Sequence, residues 1–159
     1  MDYKKTYKKA ISLKDNGNIA ESNTTLLELY QEYPTKKHLL LHLALNYLDI
    51  EDWNEFIKFA SNYLEVLDPK NKKINNVNTY WMLYHHLGVS YANLGNYERA
   101  LEYFKSAIKV KLDDKSLLYA GEVCMNLGHD KQAISFWKTA AKMGNGEAVL
   151  ALNTRGIDL

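Results

Sequence analysis

The sequence predicts an all-α fold: an α-solenoid of about four helix hairpins, closed by a short C-terminal capping helix. Three observations carry this. First, residues recur at one fixed distance, with Gly95 and Gly128, Ala100 and Ala133, and Phe104 and Trp137 each 33 residues apart. A period of that order belongs to stacked helix pairs, each too small to bury its apolar face alone. Second, the same frame puts Ala10, Ala44, Gly88 and Gly121 at the eighth position of four successive copies. A small residue there lets the first helix of a hairpin approach the second closely. Third, no copy shows strand-like alternation, and only 2 of the 159 residues are proline. Proline costs about 3 kcal/mol inside a helix, so its scarcity suits long helices.

The copies follow in order within one predicted domain spanning 1–159. Copy 1 covers 3–36: Gly17 supplies the turn between its helices, and Pro34 closes the second helix. Lys9 stands in a slot that is apolar elsewhere, which a terminal repeat with one unstacked side tolerates. Copy 2 covers 37–69 and turns at Asp49-Ile50-Glu51-Asp52. Its second helix inverts the small-then-large order of Ala100/Phe104 into Phe56/Ala60, on one helix face, so volume is conserved. Residues 70–78 form the one linker-like stretch. The spacing of Ile74, Val77 and Trp81 predicts that its second half already belongs to the first helix of copy 3. Copy 3 covers 81–113 and copy 4 covers 114–146. A cap at 147–154 is expected to lay Leu150 and Leu152 over the open end, with 155–159 frayed. Cys124, at the eleventh position of copy 4, reads as a small core residue.

Copy 3 carries Tyr84, Leu87, Gly88, Tyr91, Ala100 and Phe104 at the offsets of an aromatic, Leu-Gly, Tyr, Ala, Phe signature. It resembles a tetratricopeptide repeat, and the resemblance extends more weakly over nearly the whole chain. Residues 133–148 also resemble the related Sel1-like repeats. The resemblance implies a right-handed superhelix whose first helices line a concave groove for a peptide or partner helix. Residues at its groove positions are Tyr7, Lys8 and Ile11 in copy 1, and His38, Leu41, His42 and Leu45 in copy 2. Copy 3 offers Met82, His85, His86, Val89 and Asn93; copy 4 offers Tyr119 and Glu122. This is an apolar, histidine-rich groove with a basic end, suited to an amphipathic helix or an extended apolar peptide. The Lys/Asn/Arg set by which some relatives clamp a chaperone's acidic C-terminus is absent: the matching positions hold Tyr7, Ile11, His42, Met82 and His86.

Chemistry finds little support. His38 and His42 have the i, i+4 spacing of metal ligands, but no Cys or carboxylate motif joins them, so neither a metal nor a cofactor is expected. The chain contains no HExxH, P-loop, GxSxG or dinucleotide fingerprint, and no enzyme is expected. The acidic pairs Asp113-Asp114 and Glu51-Asp52 sit where helices begin, as capping residues do. A net charge of +1 provides no field for nucleic acid. The polar start, the lack of a long apolar run and a single Cys predict a reducing, cytoplasmic setting without a membrane span. The sequence thus points to a non-catalytic protein–protein interaction module, an adaptor or scaffold. A secretion-type chaperone holding a partner segment, and a self-assembling module forming a homo-oligomer, are the alternatives.

Overall fold

A computed structural model describes residues 2–67 and 77–158, and the described residues form nine α-helices and no strand. They fall into two compact units, Met1–Asn71 and Lys72–Leu159. The first unit holds α1 (Tyr3–Asp15), α2 (Ile19–Glu32), α3 (His38–Asp49) and α4 (Trp53–Val66). The second holds α5 (Val77–Asn93), α6 (Tyr97–Val110), α7 (Asp114–Asn126), α8 (Asp130–Lys142) and α9 (Gly146–Asn153). Odd and even helices pair as antiparallel hairpins, with α9 against α8. Val77 opens α5, in line with its expected helical place; the expectation for Ile74 lies outside the described residues.

One turn recurs within each of the four hairpins. The N–H groups of Asn18, Asp52, Asn96 and His129 each reach back over the helix end, to the carbonyls of Leu13, Tyr47, Tyr91 and Cys124, at 2.8–2.9 Å. Such a reverse bond needs a left-handed residue just before the donor. Gly17, Gly95 and Gly128 supply it, and Glu51 adopts the same conformation at φ 56°. Three of the four donors then cap the next helix: Asn18, Asp52 and Asn96 accept from the N–H of Glu21, Glu55 and Arg99.

The eighth-position residues share one environment, the crossing within each hairpin. All four are buried at 0% exposure or enclosed by an aromatic ring. A Cβ on Gly88 would stand 2.8 Å from the Phe104 ring, and one on Gly121 would stand 2.4 Å from the Trp137 indole. Glycine therefore stands where the facing helix offers an aromatic. Alanine suffices where the corresponding position is Leu26 or Ala60, and there the Ser22 hydroxyl donates to the Ala10 carbonyl at 2.8 Å. The inverted Phe56 and Ala60 are both fully buried.

Two expectations at the end of the second unit need correction. Ala148 and Leu152 are buried against α8, whereas Leu150 is 62% exposed. Residues two apart point to nearly opposite sides of a helix, so Leu150 and Leu152 cannot cover the same surface. The segment after α9 is also held rather than frayed. Ile157 N–H bonds the Leu152 carbonyl, Arg155 Nη1 donates to the Ala151 carbonyl at 2.9 Å, and its guanidinium lies 4.7 Å from the Trp137 ring centre.

Candidate partner-binding faces

In the first unit, α1 and α3 present a joint face whose upper part is filled by its own side chains. Tyr3 and Tyr7 lie one turn apart on α1, and His38 and His42 one turn apart on α3. The spacing gives two parallel rungs: Tyr3 Oη to His38 Nε2, and Tyr7 Oη to His42 Nε2 at 2.6 Å. Burial lowers the pKa of both imidazoles, and Lys36 beside His38 and then His38 and Lys14 beside His42 lower them further. Burial raises both phenols. Both pairs are therefore neutral near pH 7, with the phenol donating to the imidazole nitrogen. The four rings stack or meet edge-on at centroid distances of 5.3–6.4 Å. The far end of the face carries the Lys14–Asp49 ion pair at 2.9 Å. Ile11, Leu41 and Leu45 are half-buried and Lys8 is exposed.

In the second unit, α5 and α7 are joined through buried bonds. Asp113, the α7 cap, accepts from the Ser116 N–H with one oxygen and from Trp81 Nε1 at 2.6 Å with the other. His85 Nδ1 shares a 2.9 Å hydrogen bond with Ser116 Oγ. His85 was expected on the open groove and is instead 7% exposed, enclosed by Trp81, His86, Phe104 and Tyr119. Its position faces the next repeat's first helix, so α7 covers it. Burial, with a smaller push from His86, lowers its pKa to about 4. His86 is half-buried, with its pKa lowered by the same cause, and Met82 is half-buried.

Beyond this seam the face opens. A cleft of about 230 Å³ brings together the expected residues Val89, Asn93, Tyr119 and Glu122. Its lining also includes residues the expected groove omitted, notably Tyr97, Phe104 and Val123. Tyr97 and Phe104 belong to α6, the second helix of its hairpin; Tyr97 is half-buried, and Phe104 is fully buried against Gly88. Tyr119 stacks on Phe104 at 5.8 Å between ring centres and is 37% exposed. Burial and the neighbouring Glu147 raise the Glu122 pKa. Among the described residues no group of three or more His, Cys, Asp or Glu could hold a metal ion, and no helix is long and apolar enough to cross a membrane.

The family model of the tetratricopeptide repeat matches residues 81–114, the span of α5 and α6 through the start of α7. This segment is a tetratricopeptide repeat. The matched span does not include the part resembling Sel1-like repeats. No curated protein matches the sequence. Solved structures do match across the chain. MamA MSR-1 C2 aligns with a TM-score of 0.74 at 19% identity, over 91% of this chain and 78% of that one. MamA AMB-1 P212121 aligns with a TM-score of 0.78 at 18% identity, over 92% and 75%. The likeness shows the fold: all-helical hairpins of the tetratricopeptide type.

Proposed function

We propose that the chain is a non-catalytic protein–protein interaction module, an adaptor or scaffold, that holds a peptide or helix of its partner on the first-helix faces of its repeats. The observation that carries this is the cleft between α5 and α7. There the half-buried Val89 and the Tyr119 side chain, 37% exposed, stand beside a polar rim of Asn93 and Glu122. Such a mixture of accessible aromatic surface and polar rim suits partner recognition. On the α1/α3 face, Ile11, Leu41 and Leu45 add apolar surface. A single buried thiol, Cys124, suits a reducing cytoplasm, and the near-neutral net charge favours a protein over a nucleic-acid partner.

The test compares wild type with Leu41→Glu, Val89→Glu and the double variant in affinity capture from the source cells. The captured protein is identified and its affinity then measured by calorimetry. Loss of a specific partner in the double variant, with an unchanged helical circular dichroism spectrum, supports the reading. Undiminished affinity in the double variant would refute it.

A further inference from the structure

The α5/α7 cleft has a chemistry more particular than an apolar groove. Three of its side chains, Asn93, Glu122 and Asn126, offer acceptor oxygens. Asn93 Nδ2 donates to the Val89 carbonyl at 2.9 Å, and Asn126 Nδ2 donates to the Glu122 carbonyl at 3.0 Å. A carbonyl can bond only the nitrogen of the amide, so both side-chain oxygens are left to accept from a ligand. Glu122 adds a carboxylate, with no ion-pair partner among the described residues. No Lys or Arg among the described residues lines the cleft. The rest of the lining is apolar, with Val89, Ala92 and Val123 beside the aromatic Tyr97, Tyr119 and the fully buried Phe104.

We propose that this cleft receives the guanidinium of an arginine side chain carried by the partner. The inference rests on reading the cleft as a partner surface. A guanidinium offers five donors and no acceptor, matching the side-chain oxygens of Asn93, Glu122 and Asn126. Its planar cation stacks on aromatic faces, and its fork bonds a carboxylate through two parallel N–H groups. A lysine ammonium presents a point charge that uses neither the ring faces nor the fork as well. Desolvation and Glu147 raise the Glu122 pKa, and an approaching cation works against both.

The experiment titrates the full-length chain with N-acetyl-arginine N-methylamide and follows backbone amide resonances by NMR. The matched citrulline compound, neutral but of the same shape, and the matched lysine compound serve as comparisons. The expected result is saturable shifts at Val89, Asn93 and Val123 with the arginine probe and none with citrulline. Glu122→Gln should weaken that response about tenfold, the scale of one charge-assisted hydrogen bond. Tyr119→Leu should weaken it too, with thermal melting near that of wild type in both variants. Equal responses to arginine and citrulline, an equal or stronger response to lysine, or shifts elsewhere would overturn the assignment. If an arginine-free amphipathic peptide moved these amides while the arginine probe did not, the cleft would remain a partner surface and the cation assignment alone would fail.

Discussion

The α1/α3 face of the first unit and the α5/α7 face of the second occupy the same place in the repeat and are finished differently. Tyr3 and Tyr7 fill the first and fifth positions of copy 1, as Trp81 and His85 fill those of copy 3. In the first unit these side chains bond His38 and His42 in a partly exposed aromatic cluster. In the second they bond Asp113 and Ser116 in a buried seam, and the face opens into a cleft further along. The difference teaches that the repeat frame fixes where neighbouring first helices join, while the residues at the joint decide how much surface stays free.

The largest expected effect lies at the hairpin crossings. Gly121→Ala should cost about 3 kcal/mol, because its Cβ would drive into Trp137 in a close-packed core. In the first unit Ala10→Gly, which adds no clash, should cost only about 1 kcal/mol through lost helix propensity. Urea unfolding of the two variants checks the contrast.

Next comes acid. The folded His85 has a pKa of about 4 against an ordinary 6.5, so the unfolded chain binds its proton more readily. Its contribution is intact above the ordinary value and is lost as pH falls from there towards the folded value. Acidification from about pH 7 to about pH 5 should cost roughly 2 kcal/mol through this one residue. His85→Leu should flatten the dependence, read from unfolding midpoints at several pH values. Tyr7→Phe, which removes one rung from the open face of the first unit, should cost about 1 kcal/mol or less.

The smallest effect is a gain. Glu51 alone among the four turn residues holds a left-handed backbone without being glycine. Glu51→Gly should stabilise by about 0.5 kcal/mol, the released strain being offset partly by a freer unfolded chain. Thermal melting would show it as a small upward shift.

The hairpins were legible because turn chemistry and small crossing residues are local: Gly17, Gly95 and Gly128 announce their turns, and Gly88 and Gly121 their crossings. The fate of His85 was less so. Helical period gives the direction in which a side chain leaves its own helix, and the overlap of α7 decides whether solvent reaches it. The cleft residues from α6 escaped for a related reason, since Tyr97 and Phe104 lie on a second helix, outside the first-helix positions that the repeat frame assigns to the groove. Leu150 is a different case, because helical geometry alone separates it from Leu152.

The most direct test of the partner face places a photo-crosslinking benzoylphenylalanine at Tyr119, at the cleft, or at Glu102, an exposed position on α6 outside its lining. Irradiation in the source cells should join a defined partner to the Tyr119 derivative and leave the Glu102 derivative unlinked. Equal crosslinking at both positions, or crosslinking at Glu102 alone, would contradict the account.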